Sequence, residues 1–214
     1  MRQPNRKRRR KDIITWSKLL TEEEQKKLFE FLKANQETIS GMRELLICDL
    51  MLHTGLRANE LCCLRVQDTP LVLGVNAIVI YRGKGDKDRS VPISGRLAHC
   101  IEIYIKHLRG QTMPPRAKRS DISKPLFYSR IKQPYTPNAL YLMIRRIGKR
   151  AGITKTLHPH MFRHTFAVNT LLTGIDIYLL QELMGHSEIV TTSKYLHIVN
   201  AHLRGLGDKL DVPV

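Results

Sequence analysis

The polar residues whose types and spacing could do chemistry lie far apart along the chain. Arg57 sits in Thr54-Gly55-Leu56-Arg57-Ala58-Asn59-Glu60-Leu61, at a helix start directly after a strongly apolar segment. A cation there opposes the helix dipole, which favours anions at an N-terminus. Glu60, three residues on, is spaced to pair with Arg57 and fix its direction, although ordinary ion pairs share that spacing. His160-Met161-Phe162-Arg163-His164 places His160 and Arg163 on one helical face and leaves Phe162, Phe166 and Leu171 for the core. His160 and His164 have the i, i+4 spacing of a zinc pair, but no glutamate stands in the required place, so the HExxH reading fails. His186 follows a glycine in Met184-Gly185-His186-Ser187, where it would serve equally as a cap, and Tyr195 lies on an apolar–polar boundary.

What these groups share is phosphate chemistry without a metal. Two arginines clamp the nonbridging oxygens of a phosphodiester through charge-assisted hydrogen bonds. Histidines exchange protons near neutral pH. A lysine in the turn Arg82-Gly83-Lys84-Gly85-Asp86-Lys87-Asp88-Arg89 can protonate a leaving oxygen. A tyrosine hydroxyl, with a pKa of ~10, attacks phosphorus only when a base or a positive field activates it. The sequence has no carboxylate cluster of the two-metal nuclease kind and no GxxxxGK[ST] loop. The chain therefore has the means for transesterification and lacks the usual means for metal-dependent hydrolysis or ATP use.

The ordered series Thr54–Leu61, Gly83-Lys84-Gly85, His160–His164, Leu183-Met184-Gly185-His186 and Tyr195 resembles the catalytic domain of the tyrosine recombinases, the phage-integrase family, over about residues 17–200. The resemblance implies that Arg57 and Arg163 bind the scissile phosphate and that Glu60 supports the first of them. It implies that Lys84 protonates the departing 5′-oxygen, with Lys87 a rival that stays open. His160 becomes the general acid/base, His186 a hydrogen-bond donor to the phosphate, and Tyr195 the nucleophile of a 3′-phosphotyrosyl bond. His164 belongs to the same motif and is read as structural. No cofactor and no metal is expected, because swapping phosphoesters retains the bond energy and the cations supply the charge.

The family also implies a partner and an assembly: double-stranded DNA carrying recombination sites, and a tetrameric synapse of identical subunits. An inactive DNA-binding regulator of the same fold and a relaxing enzyme like the type IB topoisomerases are the alternatives. Members usually carry a further helical DNA-gripping domain of ~100 residues before this one. Either the chain is a fragment, or it is similar to the short recombinases that lack that domain, such as those inverting fimbrial promoters.

The elements that must position these residues read as mainly α with one small antiparallel hairpin, an α+β chain. Thr21 with Glu24 is a capping box before the apolar face of Leu28, Phe31 and Leu32. Met42 to about His53 is almost continuously apolar and predicts a central buried helix, stopped by Gly55. Ala77–Tyr81 and Ser90–Ile93 predict two strands around the glycine-punctuated turn. Gly95–Leu108 returns to helix, Gln111–Lys124 reads as a surface connection, and Leu126–Tyr128 as a short strand. Thr136-Pro137 starts a helix over Asn138 to about Lys149. Three more are expected near Pro159–Leu172, Ile177–Met184 and Glu188–His197.

Composition bounds the partner. Lys+Arg number 36 against Asp+Glu 19, a formal net charge of +17. Seven of the positive charges fall in the first eleven residues, and the remainder is still basic, so a polyanion is the expected partner. Arg89, Arg145, Arg146, Lys149 and Arg150 are the expected DNA contacts. An apolar content of 42% supports a real core rather than a disordered polycation. No apolar run approaches a membrane span, and the four cysteines form no CxxC pair. The reading divides the chain into a basic arm (1–15), the catalytic domain (16–198) and a tail (199–214) whose Val199, Leu203, Leu206 and Leu210 either self-pack or dock on a neighbour. The expected location is the cytoplasm, with the nucleoid.

Overall fold

The computed structural model describes residues 14–81, 88–109, 122–129, 133–185 and 192–202, with side chains of 108 and 109 set aside. Lys84, Lys87 and His186, residues 111–121 of the expected surface connection, the basic arm to residue 13 and the tail from residue 203 lie outside the described residues.

Helix α1 (Glu22–Ala34) begins at Thr21, whose hydroxyl accepts from Glu24 N–H at 3.2 Å while Glu24 Oε2 accepts from Thr21 N–H at 2.9 Å. Three glutamates in its first turn add a favourable interaction with the helix dipole. Helix α2 (Ile39–Thr54) is buried almost all round, so it can only sit in the centre of the domain. It packs against α1, α5 (Gly95–Arg109) and α7 (Pro159–Leu172). Gly55 ends it in the left-handed region (φ 60°), and a Cβ there would lie 2.3 Å from the Phe166 ring. Glycine is required on both counts.

The short helices α3 (Ala58–Cys63) and α4 (Pro70–Leu73) lead into an antiparallel pair, β1 (Ala77–Ile80) and β2 (Arg89–Pro92), in register Ile78↔Val91 and Ile80↔Arg89. Observed strand ends differ by one residue from the sequence reading at 81, 89 and 93. Leu126–Tyr128 is not a strand of this sheet. Its pairings are isolated: Leu126 N–H donates to Leu64 O next to a single bridge between Arg65 and Pro125, and a second bridge joins Tyr128 and Pro134. An apolar triplet without a partner strand of matching length gains nothing more.

Helices α6 (Pro137–Arg150), α7 and α8 (Ile177–Met184) follow the expected spans. Of the helix expected over 188–197, residues 188–191 lie outside the described residues, and the described part is interrupted. Residues 192–193 and 196–202 are helical, with Tyr195 at a turn between them. The main core gathers α1, α2, α3, the sheet, α5 and α6. A smaller cluster unites Leu19, Phe166, Ala167, Leu171, Leu180, Met184, Tyr195, Ile198 and Val199. The four cysteines are free thiols, Cys48 and Cys62 buried. Among the described residues no helix is long and apolar enough to cross a membrane.

Candidate active site

The site forms where the ends of α2, α3 and α8 meet α7. Arg57 is the residue before α3, and Glu60 reaches back to it: Glu60 Oε2 accepts from Arg57 N–H at 2.8 Å and Oε1 from Arg57 Nη1 at 2.7 Å. The expected pair is therefore present, with the Glu60 carboxylate accepting from both the backbone N–H and the guanidinium of Arg57. Arg89, on β2, adds a parallel fork, Nη1 to Glu60 Oε1 at 2.9 Å and Nη2 to Oε2 at 2.8 Å. Each carboxylate oxygen thus accepts two bonds, which fills its acceptor sites. Burial alone would raise the Glu60 pKa. The bonds from Arg89 and from the Arg57 backbone outweigh it and hold the carboxyl at about 2.

The last carbonyls of α8 complete the arrangement. A helix C-terminus leaves its final carbonyls without helical donors. Here Leu183 O accepts from Arg89 Nε at 2.9 Å, Met184 O from Arg163 Nη2 at 2.7 Å, and Gly185 O from Arg57 Nη2 at 2.8 Å. Arg163 Nη1 also donates to Gly55 O at the end of α2. Three cations thus gather at two helix C-termini, where the dipoles favour positive charge. Arg163 is buried, and desolvation, then the charge of Arg57, lowers its pKa to about 10. It remains a cation at neutral pH.

His160 lies exposed on α7, and its pKa is lowered by partial desolvation and by the charges of Arg163 and Arg57, which places all three in one field. His164, one turn on, stacks against His160 with ring centroids 6.2 Å apart. Its Nδ1 is 2.9 Å from the Tyr195 hydroxyl. Burial, then the charges of His160 and Arg163, pushes His164 down to about 4, so it is neutral at pH 7 and can accept the phenolic hydrogen. Tyr195 is 3% exposed; burial raises its pKa to about 12 while the charge of Arg163 opposes the rise. The phenol is thus within Arg163's field but covered by the smaller core cluster.

The expected site residues therefore divide. Arg57, Glu60, His160, Arg163, His164 and Tyr195 come together. Arg89, read from the sequence as a DNA contact, has its side chain 10% exposed and its guanidinium committed to Glu60 and Leu183. Strand alternation carried the signal, since Arg89 shares a face with buried Val91 and not with exposed Ser90. Arg145, Arg146, Lys149 and Arg150 are exposed on α6. Arg150 stacks over the Phe31 ring at 5.0 Å and lies 3.8 Å from Glu44, which turns it toward α1 and α2. Among the described residues no three His, Cys, Asp or Glu side chains converge as a metal site.

A tyrosine recombinase of Pseudothermotoga lettingae is 37% identical over 200 residues, covering 94% of this chain and 61% of that protein. The crystal structure of XerA recombinase superposes with a TM-score of 0.72 at 31% identity, over 92% of this chain and 66% of that one. XerH site-specific recombinase, solved in a post-cleavage complex with a palindromic difH substrate, gives a TM-score of 0.69 at 30% identity, over 88% of this chain and 52% of that one. The chain thus spans roughly three fifths of the length of the curated relative. The model of the phage integrase family matches residues 18–202, and the chain belongs to that family.

Proposed function

We propose that the chain is the catalytic part of a site-specific DNA recombinase that cleaves and rejoins strands through a 3′-phosphotyrosyl intermediate. The observation that carries this reading is the convergence of Arg57 and Arg163 on the end of α8, beside the run His160, His164 and Tyr195 in which His160 stacks on His164 and His164 Nδ1 is 2.9 Å from the Tyr195 hydroxyl. Arg57 and Arg163 bind the nonbridging oxygens. A guanidinium has five N–H donors, and the bonds from the Arg57 side chain to Glu60 and Gly185 use two of them, leaving others for an oxyanion. The Tyr195 oxygen attacks phosphorus, its proton passes to a histidine, and the bond from phosphorus to the 5′-oxygen breaks. Lys84, with Lys87 the alternative, protonates that oxygen, and His186 donates to the phosphate. The number of phosphoester bonds is unchanged, so a 5′-hydroxyl from another strand reverses the step.

Covered as it is, Tyr195 must be released from the smaller core cluster before it can attack. In this account the segment 192–202 moves when DNA engages the site, and the covered phenol is the resting form. DNA is the partner by charge, with Arg145, Arg146 and Lys149 on the exposed face of α6. The XerH complex, a relative bound to its recombination substrate, supports that choice. The proposal extends to a basic arm over 1–15, a domain over 16–198, and a tail over 199–214 that docks on a neighbour in a four-subunit synapse. Val199 and Ile14 both belong to the smaller core cluster, so the docking part begins after 199 and the free arm ends before 14. A cytoplasmic, nucleoid-associated location goes with a DNA substrate.

The test is a pool of labelled duplexes with randomised arms and a nick, which lets the cleaved fragment diffuse away and traps the adduct. The wild type should give a covalent complex and Tyr195→Phe none. Binding without an adduct from either would favour the inactive regulator.

A further inference from the structure

We propose that Arg89 is a positioning residue for strand cleavage, holding Glu60 and the end of α8 so that Arg57 faces the phosphate in a single orientation. The inference rests on the recombinase reading above and goes beyond it.

Arg57 by itself has a long, flexible side chain anchored at the start of a helix of six residues. Its direction is set by two acceptors, Glu60 Oε1 and Gly185 O. Arg89 bonds the first directly and packs against the residue that carries the second. The fork of Arg89 takes both oxygens of Glu60, and a bidentate pair fixes the carboxylate plane as well as its position. The Nε of the same guanidinium takes Leu183 O, two residues before the carbonyl that Arg57 uses. Gly185 is packed directly on it. A Cβ at 185 would lie 2.8 Å from Arg89 Nη1, and φ there is +61°. One planar group therefore ties β2, α3 and the end of α8 together.

A contact to DNA is a poor alternative role. Three donor nitrogens of Arg89 are already spent inside the protein, and its side chain is 10% exposed. A simple neutralising role for Glu60 is also insufficient, since Arg57 alone already pairs with that carboxylate. Lysine at 89 would retain the charge but not the fork, because an ammonium is a point donor and cannot span two carboxylate oxygens and a carbonyl in one plane.

The experiment uses a nicked duplex trapped by the wild type, saturating protein and single-turnover adduct formation, with Arg89→Lys and Arg89→Gln compared in wild-type and Glu60→Gln backgrounds. Both variants should slow adduct formation, Arg89→Gln by about 100-fold and Arg89→Lys by about 10-fold, while duplex affinity changes less than about threefold. In the Glu60→Gln background Arg89→Gln should cost much less, because the relay is already cut. The acid limb of the Arg89→Gln pH profile should also move to higher pH, since Glu60 loses its main hydrogen-bond donor. If Arg89→Gln unfolds, Arg89→Lys with native thermal unfolding decides. Wild-type rates in Arg89→Lys, full additivity with Glu60→Gln, or a loss confined to affinity would overturn the proposal. Absence of adduct from the wild type would instead remove the recombinase reading and this inference with it.

Discussion

Glu60 carries more of the site than a supporting carboxylate usually does, because two guanidinium groups share it inside the protein. Replacing it with glutamine should cost about 3 kcal/mol of stability in urea unfolding, the scale for breaking a buried ion pair. An unchanged midpoint would show that the arginines find other acceptors. His164 gives a second test. Its folded pKa of about 4 lies below the usual histidine value, so the unfolded chain binds the extra proton between the two. Its contribution to stability is full above about pH 6.5 and is lost as the pH falls through 4. Allowing for its partial exposure, His164→Asn should remove about 1–2 kcal/mol of that acid-side slope. A wild-type slope that is flat between pH 6.5 and 4 would contradict the assignment. At this scale the sequence was informative about Arg57, Glu60, His160, Arg163 and Tyr195, whose motifs are local. It was silent on the carbonyls of residues 183–185, since no spacing rule pairs Arg57 or Arg163 with a helix end more than twenty residues away.

The elements owe their positions to a few backbone points. Gly55 both turns the chain out of α2 and admits the Phe166 ring, whereas Gly74 has a similar φ of 71° and open space around it. Gly74→Ala should therefore cost about 1 kcal/mol, the left-handed penalty alone. Gly55→Ala should cost that plus about 1–3 kcal/mol for overpacking against Phe166. Equal losses in thermal unfolding would mean that the ring moves away freely. Helices with capping signals, such as α1 and α6, were legible to within a residue or two because Thr21 and Thr136 mark their starts. Leu126–Tyr128 was not, since an apolar triplet looks the same whether it joins a ladder or covers a core. The break at Tyr195 was equally hidden: the periodicity of 188–197 suits a helix, and the turn depends on Tyr195 packing beneath α7 and α8.

For the whole molecule, the excess of cations predicts how it meets DNA. Each phosphate neutralised contributes about −0.9 to the slope of log affinity against log salt, so the slope should be steeper than about −2. A shallower slope would rule out a broad phosphate-tracking surface. Removing residues 203–214 should weaken cooperative assembly on paired sites and leave cleavage at a single site intact, as followed by gel shift and adduct yield. Loss of folding on that truncation would show that the tail packs on its own subunit. The central claim is that the Tyr195 oxygen becomes bonded to the 3′-phosphate of a cut strand. Nuclease and protease digestion of the trapped complex, followed by mass spectrometry, measures this directly. The account predicts the peptide containing Tyr195 with a nucleotide joined through its 3′-phosphate; a 5′-phosphate linkage, or a nucleotide on any other side chain, would contradict it.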